Sequence, residues 1–254
     1  MSEHNFAELA EDRGKRFVQE DSYVLVLLLI LASIISSAIL GGRIASVLVP
    51  LAFMSLTLVV ALSTSGAGPR TRRVGRITVL VAFLLVAVAA VANFDALARL
   101  AFFIVAIALS LATPVVIARR LWKHPKVSTN TIAGAADIYL LIGLLFAVIY
   151  SLIGAVQADA LEAIARSGAQ AATPYTAFFY SGRPTGPSDF IYFSFTTLTT
   201  VGYGDLTATS AIGRLLSNIE ALIGQLYLVT VVAVLVSNIG ASRRPPASDS
   251  VGEE

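Results

Sequence analysis

The sequence predicts an all-α membrane protein with six transmembrane helices and one shorter helix entering the membrane between the fifth and sixth. Three observations carry that prediction. Of the 254 residues, 56% are hydrophobic and only 13% charged, with mean hydropathy +0.80, a balance suited to a bilayer. Six runs are long enough to cross roughly 30 Å of hydrocarbon, which takes about 17–25 apolar residues. A stretch too short to cross, Ser188–Leu198, is followed at once by Thr200-Val201-Gly202-Tyr203-Gly204-Asp205.

The chain divides into an N-terminal segment (1–21), a four-helix membrane domain (22–126), a domain holding the last two spans (127–240) and a short tail (241–254). Residues from about Asn5 to Val18 read either as an interfacial helix resting on Phe6, Leu9 and Phe17 or as a tail. The spans run approximately over Tyr23–Leu40, Ile44–Leu62, Ile77–Ala92, Leu100–Ala118, Ile138–Val156 and Ile219–Ile239. Pro114 is expected to kink the fourth. Trp122 reads as an interface anchor. Asp137 is expected to pair with loop bases such as Lys126.

The loop from Gln157 to Pro187 reads as extracellular, with a turn or two of helix at Leu161–Ala165 and Phe178-Phe179-Tyr180 packing on an outer wall. Pro187, Ser188 and Asp189 give the short helix a capped start. Its C-terminal, negative dipole end then favours a cation.

Loop charges set the orientation. Thirteen Lys and Arg fall before span one, between two and three, between four and five, and after six. The other side has five: Arg43, Arg99, Arg166, Arg183 and Arg214. Both termini are therefore expected in the cytoplasm. Acidic residues before Tyr23, among them Glu8, Glu11 and Asp12, are unlike the start of a secretory signal. The net charge of +2 gives no reason to expect nucleic acid, and with no Cys there are no disulfides. His4 and His124 read as ordinary surface histidines, and no nucleophile–base pair, metal cluster or nucleotide loop suggests an enzyme.

Thr196-Thr197-Leu198-Thr199-Thr200-Val201-Gly202-Tyr203-Gly204-Asp205 resembles the selectivity filter of tetrameric potassium channels, and the whole chain resembles their six-span prokaryotic members. Residues from about Ile138 to Ile239 then correspond to outer helix, re-entrant pore helix, filter and inner helix. Gly213-Arg214 matches the start of the inner helix. The resemblance implies a homotetrameric pore in the cell membrane, of bacterial inner-membrane type, with permeant K+ as cargo and no cofactor.

K+ would sit at Thr200, Val201, Gly202 and Tyr203, with Gly204 completing the filter, where carbonyl oxygens replace its water shell. Gly202 and Gly204 lack Cβ and so let the backbone visit conformations closed to other residues. Val201 and Tyr203 must turn their side chains away from the ion. One chain supplies one loop, so several copies must meet on an axis. A separate regulatory subunit is compatible with this reading.

The chain departs from the family in places. Tyr192 and Phe193 stand where many members have two Trp, and the Tyr192 hydroxyl is placed to reach Asp205. Ala208 replaces a common Pro, which suggests a less rigid outer turn. Thr196 replaces a residue that is acidic in some members; with Thr199 it is a filter-support candidate. From Leu100 to Ala118 there is no Lys or Arg, so the usual charge-bearing sensor is absent. The first four helices then read as packing and assembly elements.

Gly224 falls where the family often has a hinge glycine, so the resemblance makes it a gating candidate, read as a hinge in preference to a close-packing site. Glu220, one turn earlier, tunes gating or ion concentration, or makes a structural hydrogen bond with Asn218, Gln225 or a pore-helix Thr. The leading expectation is a passive potassium-selective channel not gated by voltage. The alternatives are a non-conducting or regulatory membrane subunit and a weakly selective cation channel.

Overall fold

The computed structural model describes residues 22–39, 45–64, 95–123, 129–167, 178–179 and 186–242, with isolated positions between 73 and 84. Among these the chain is helical: α1 (Ser22–Ile39), α2 (Ala45–Thr64), α3 (Asp95–Lys123), α4 (Thr129–Arg166), α5 (Pro187–Leu198) and α6 (Ala211–Ser242). One isolated antiparallel bridge joins Phe179 to Ala208. Most of the expected third span, the 5–18 segment, His4, His124, Tyr180 and the tail lie outside the described residues, as does the Trp122 side chain.

Among the described residues three helical stretches are long and apolar enough to cross a membrane: Leu100–Arg119, Thr131–Ala160 and Ala211–Val234. The apolar parts of α1 and α2, Tyr23–Ile39 and Val49–Leu62, are shorter. Burial shows what surrounds them. On α1, Tyr23, Val26, Ile30, Ser33 and Ser37 form one buried face, at the three- and four-residue spacing of a helix. The opposite face carries Val24, Leu28, Leu31 and Ile35, all exposed. A helix whose exposed face is as apolar as its buried one is matched to lipid and not to water.

Among the described residues three contiguous clusters form the core. Tyr23, Val26 and Ile30 of α1 meet Ile117 of α3 and Leu141 and Leu144 of α4, and Ile191 and Phe195 of α5 pack against this group. The bundle therefore reaches the short helix of its own chain directly. A second cluster joins α2 and α3 through Leu51, Met54, Leu58 and Leu109. A third is aromatic: Phe146, Tyr150, Phe178, Phe179, Phe190 and Phe193 lie in edge and tilted contacts, with centroids 4.7–6.0 Å apart. Phe178 and Phe179 thus pack on the outer wall of α4 and α5, where the sequence placed them.

Element boundaries differ from the sequence reading in physically interpretable ways. The helix α4 continues through Leu161–Ala165 to Arg166 instead of breaking after the membrane run. The helix α6 starts at Ala211, eight residues before the expected span, because Ser210 caps it. The Ser210 hydroxyl accepts from Gly213 N at 3.1 Å, and its carbonyl accepts from Arg214 N at 3.0 Å. Helix α3 runs uninterrupted through Pro114.

Candidate functional site

The site is built on α5, 12 residues or about 18 Å of helix, too short to cross a bilayer. Its start is fixed by the chain. Gly186 is the N-cap, Pro187 occupies the first turn where a missing N–H is harmless, and the Asp189 carboxylate accepts from Gly186 N at 2.9 Å. At the other end Thr199 N donates to Phe195 O at 3.0 Å and Thr200 N to Thr197 O at 2.9 Å. The chain then leaves the helix at Leu198, so the segment from Thr200 begins at the negative end of the helix dipole.

Between Thr200 and Gly204 the sign of φ alternates. Thr200, Gly202 and Gly204 have φ of 60°, 51° and 81°, while Val201 and Tyr203 are not left-handed. Glycine makes this free at two positions. Thr200 is a non-glycine residue in a left-handed conformation, which costs about 1–3 kcal/mol and persists only when the surroundings over-determine it. They do so here. Thr200 N is held by Thr197 O, and Gly202 N reaches back to Thr196 O at 3.1 Å. Sequence reasoning identified the glycines but not the strain at Thr200, which no residue type announces.

The predicted support residues fall around this loop. Tyr192 Oη donates to Asp205 Oδ2 at 2.9 Å, and its ring stacks on Tyr203 at 6.3 Å, with 4° between planes. Desolvation, and then the bond to Asp205, push the Tyr192 hydroxyl above its ordinary pKa, so it remains a donor. Thr196 and Thr199 donate their hydroxyls to Phe193 O and Phe195 O, within their own helix. The part Thr196 plays toward the loop is thus made by its backbone carbonyl. In the single chain Val201 and Tyr203 are 52% and 72% exposed.

The outer turn is held more firmly than the Ala208 substitution suggested. Ala208 is buried and bridged to Phe179, Thr209 N donates to Phe178 O at 3.0 Å, and Arg214 Nε donates to Ala208 O at 3.2 Å. A Pro there is unnecessary because the segment at 178–179 supplies the restraint.

Behind the loop, α6 is seated against α5. A Cβ on Gly224 would lie 2.5 Å from Leu198 O and 2.9 Å from Leu198 Cδ1. The glycine therefore has a packing reason to be there, and a hinge remains a proposal. Glu220 is fully buried, as are Ser194 and Tyr150. Its partners are none of those expected. Tyr150 Oη donates to Glu220 Oε2 at 2.7 Å, and Ser194 Oγ is hydrogen-bonded to Glu220 Oε1. Glu220 thus sits between three helices, α4, α5 and α6.

Tyr139 Oη donates to Leu198 O at 3.2 Å, and Tyr227 Oη donates to Ala135 O at 2.6 Å, tying α4 to the end of α5 and the middle of α6. Asp137 lies near the start of α4. It is fully buried, and neither carboxyl oxygen has a hydrogen-bond partner among the described residues. The loop bases expected to pair with it, such as Lys126, lie outside the described residues.

Residues 138–240 match the family model described as an ion channel, Ion_trans_2. The matched stretch, less than half of the chain, runs from within α4 through α5 and the loop to the end region of α6. It is a channel family and not an enzyme family, and with the apolar helices it marks a membrane protein. Comparisons with curated proteins and with solved structures give no match.

Proposed function

We propose that this chain is one subunit of a homotetrameric, potassium-selective channel of the cell membrane, conducting K+ passively through the Thr200–Gly204 loop. One observation carries the reading: φ alternates in sign at Thr200, Gly202 and Gly204, directly after the C-terminus of a helix too short to span. Alternating handedness turns successive carbonyls to the same side, which is what replacing an ion's water shell requires. Irregular backbone at membrane depth is tolerated where it lines water, and a pore provides that.

Four copies supply the ring. Along α6, Ile212, Leu215, Ile219, Leu222, Leu226 and Val229 form an exposed apolar stripe at helical spacing, available to neighbouring copies. On this reading six spans place both termini in the cytoplasm, and the first four helices do not sense voltage, since none of residues 100–118 is Lys or Arg.

Radioactive rubidium uptake into liposomes holding the purified protein tests the proposal. Accumulation is expected in vesicles loaded with K+ and diluted into K+-free medium, and not in vesicles loaded with Na+. Equal accumulation from both overturns selectivity. No accumulation at any pH overturns conduction and favours a regulatory subunit.

A further inference from the structure

We propose that Glu220 carries a proton in the folded protein and, as a neutral acid, closes a hydrogen-bond relay that pins α5 between α4 and α6. The inference rests on counting hydrogens and does not depend on potassium selectivity. Ser194 Oγ lies 2.7 Å from Gly143 O and in hydrogen-bond contact with Glu220 Oε1. A serine hydroxyl has one proton to give, and a backbone carbonyl has none.

If Glu220 were ionised, Ser194 would have to donate to it. Ser194 Oγ and Gly143 O would then face each other at 2.7 Å with no proton directed between them. If Glu220 is protonated, every contact has its hydrogen. Tyr150 Oη–H donates to Glu220 Oε2, Glu220 Oε1–H donates to Ser194 Oγ, and Ser194 Oγ–H donates to Gly143 O. The relay runs from α4 through α6 and α5 back to α4.

The surroundings agree. Glu220, Ser194 and Tyr150 are all fully buried, and an unpaired charge there is far costlier than a hydrogen-bonded acid. The titratable groups facing Glu220 are Tyr150 and Tyr139, both from α4. From α5 the facing group is Ser194, and on α6 Ser217 lies against the Tyr150 hydroxyl. Among the described residues no cation pairs with the carboxyl. Glu220 is therefore a positioning residue for the loop that follows α5, and it does not act as a negative charge concentrating ions.

Infrared spectroscopy of the intact protein in lipid reads the proton directly. The wild-type spectrum at neutral pH should contain the carbonyl stretch of a protonated carboxylic acid that disappears in Glu220→Gln. Recording Asp137→Asn alongside separates the other buried acid. Glutamine keeps one acceptor for Tyr150 and one donor for Ser194, so Glu220→Gln should keep rubidium uptake within about twofold of wild type. Ser194→Ala breaks two links and should lower uptake about tenfold, as expected when a buried partner is left unsatisfied. A wild-type spectrum in which Glu220 contributes only carboxylate bands overturns the proposal, as does loss of the folded assembly in Glu220→Gln. The spectrum stands even if no ion is conducted, so failure of this inference and failure of the channel reading are distinguishable.

Discussion

Replacing Gly224 by Ala separates two roles for the residue that a sequence cannot. The added Cβ would lie 2.5 Å from Leu198 O, and ordinary contact begins at 3.4 Å, so α6 or the end of α5 must move by 3.4 − 2.5 = 0.9 Å. The obstacle is backbone, not the far end of a flexible side chain. That carbonyl is also fixed by the Tyr139 hydroxyl, and Leu198 is buried at 1% exposure. Over-packing of this kind costs about 1–3 kcal/mol, and a rigid neighbour places it near the upper end. Alanine recovers about 1 kcal/mol of helix propensity. Over-packing wins, leaving the variant about 2 kcal/mol less stable.

The assay is thermal or denaturant-driven dissociation of the purified protein in lipid or detergent, alongside rubidium uptake. A hinge with free space around it would give the opposite sign, a gain of about 1 kcal/mol with altered opening. A Gly224→Ala protein as stable as wild type, or more so, refutes the packing argument.

Tyr192→Phe removes the 2.9 Å bond to Asp205 while keeping the ring on Tyr203, and current should decay faster under sustained activity; unchanged decay removes Tyr192 from the loop's support. Asp137→Ala deletes two buried oxygens that lack partners, and melting should show a gain of about 1–2 kcal/mol, since unsatisfied polar groups cost about that when buried. A loss of stability would mean that Asp137 has a partner in the assembly. Tyr227→Phe breaks the 2.6 Å bond to Ala135 O and should cost about 1 kcal/mol in the same melt; no change would mean that the ring packing alone holds α6 to α4.

What was legible in the sequence was whatever depends on local composition. Apolar runs marked the helices, Pro187 and Asp189 marked the start of α5, and Gly202 and Gly204 marked a backbone needing left-handed conformations. What was not legible depends on which distant residues meet. Glu220 stood out as an intramembrane carboxylate, yet Ser194 and Tyr150 are 26 and 70 residues away, and nothing in their spacing names them as its partners. Ala208 looked like a lost restraint because the bridge to Phe179 joins a distant stretch of chain. In each case tertiary contact overrode a correct local premise.

The same contacts bear on what the N-terminal helices do. Ile191 and Phe195 of α5 pack into the cluster formed by Tyr23, Val26 and Ile30 of α1 with Leu141 and Leu144 of α4. The other side of α5 carries Ser194 against Glu220, and its end lies beneath Gly224. The short helix is thus held from the bundle side by apolar packing and from the α6 side by a hydrogen-bond relay and a close backbone approach. Packed interiors transmit strain instead of absorbing it, so a shift of α1 would be felt at the helix that begins the loop. On the channel reading this gives α1 a mechanical purpose that needs no charge. Shortening Ile191 to Ala, at the contact between bundle and α5, should therefore alter uptake more than shortening Leu28, which faces outward from α1 at 57% exposure. Equal effects at the two positions would show the bundle to be a passive wall.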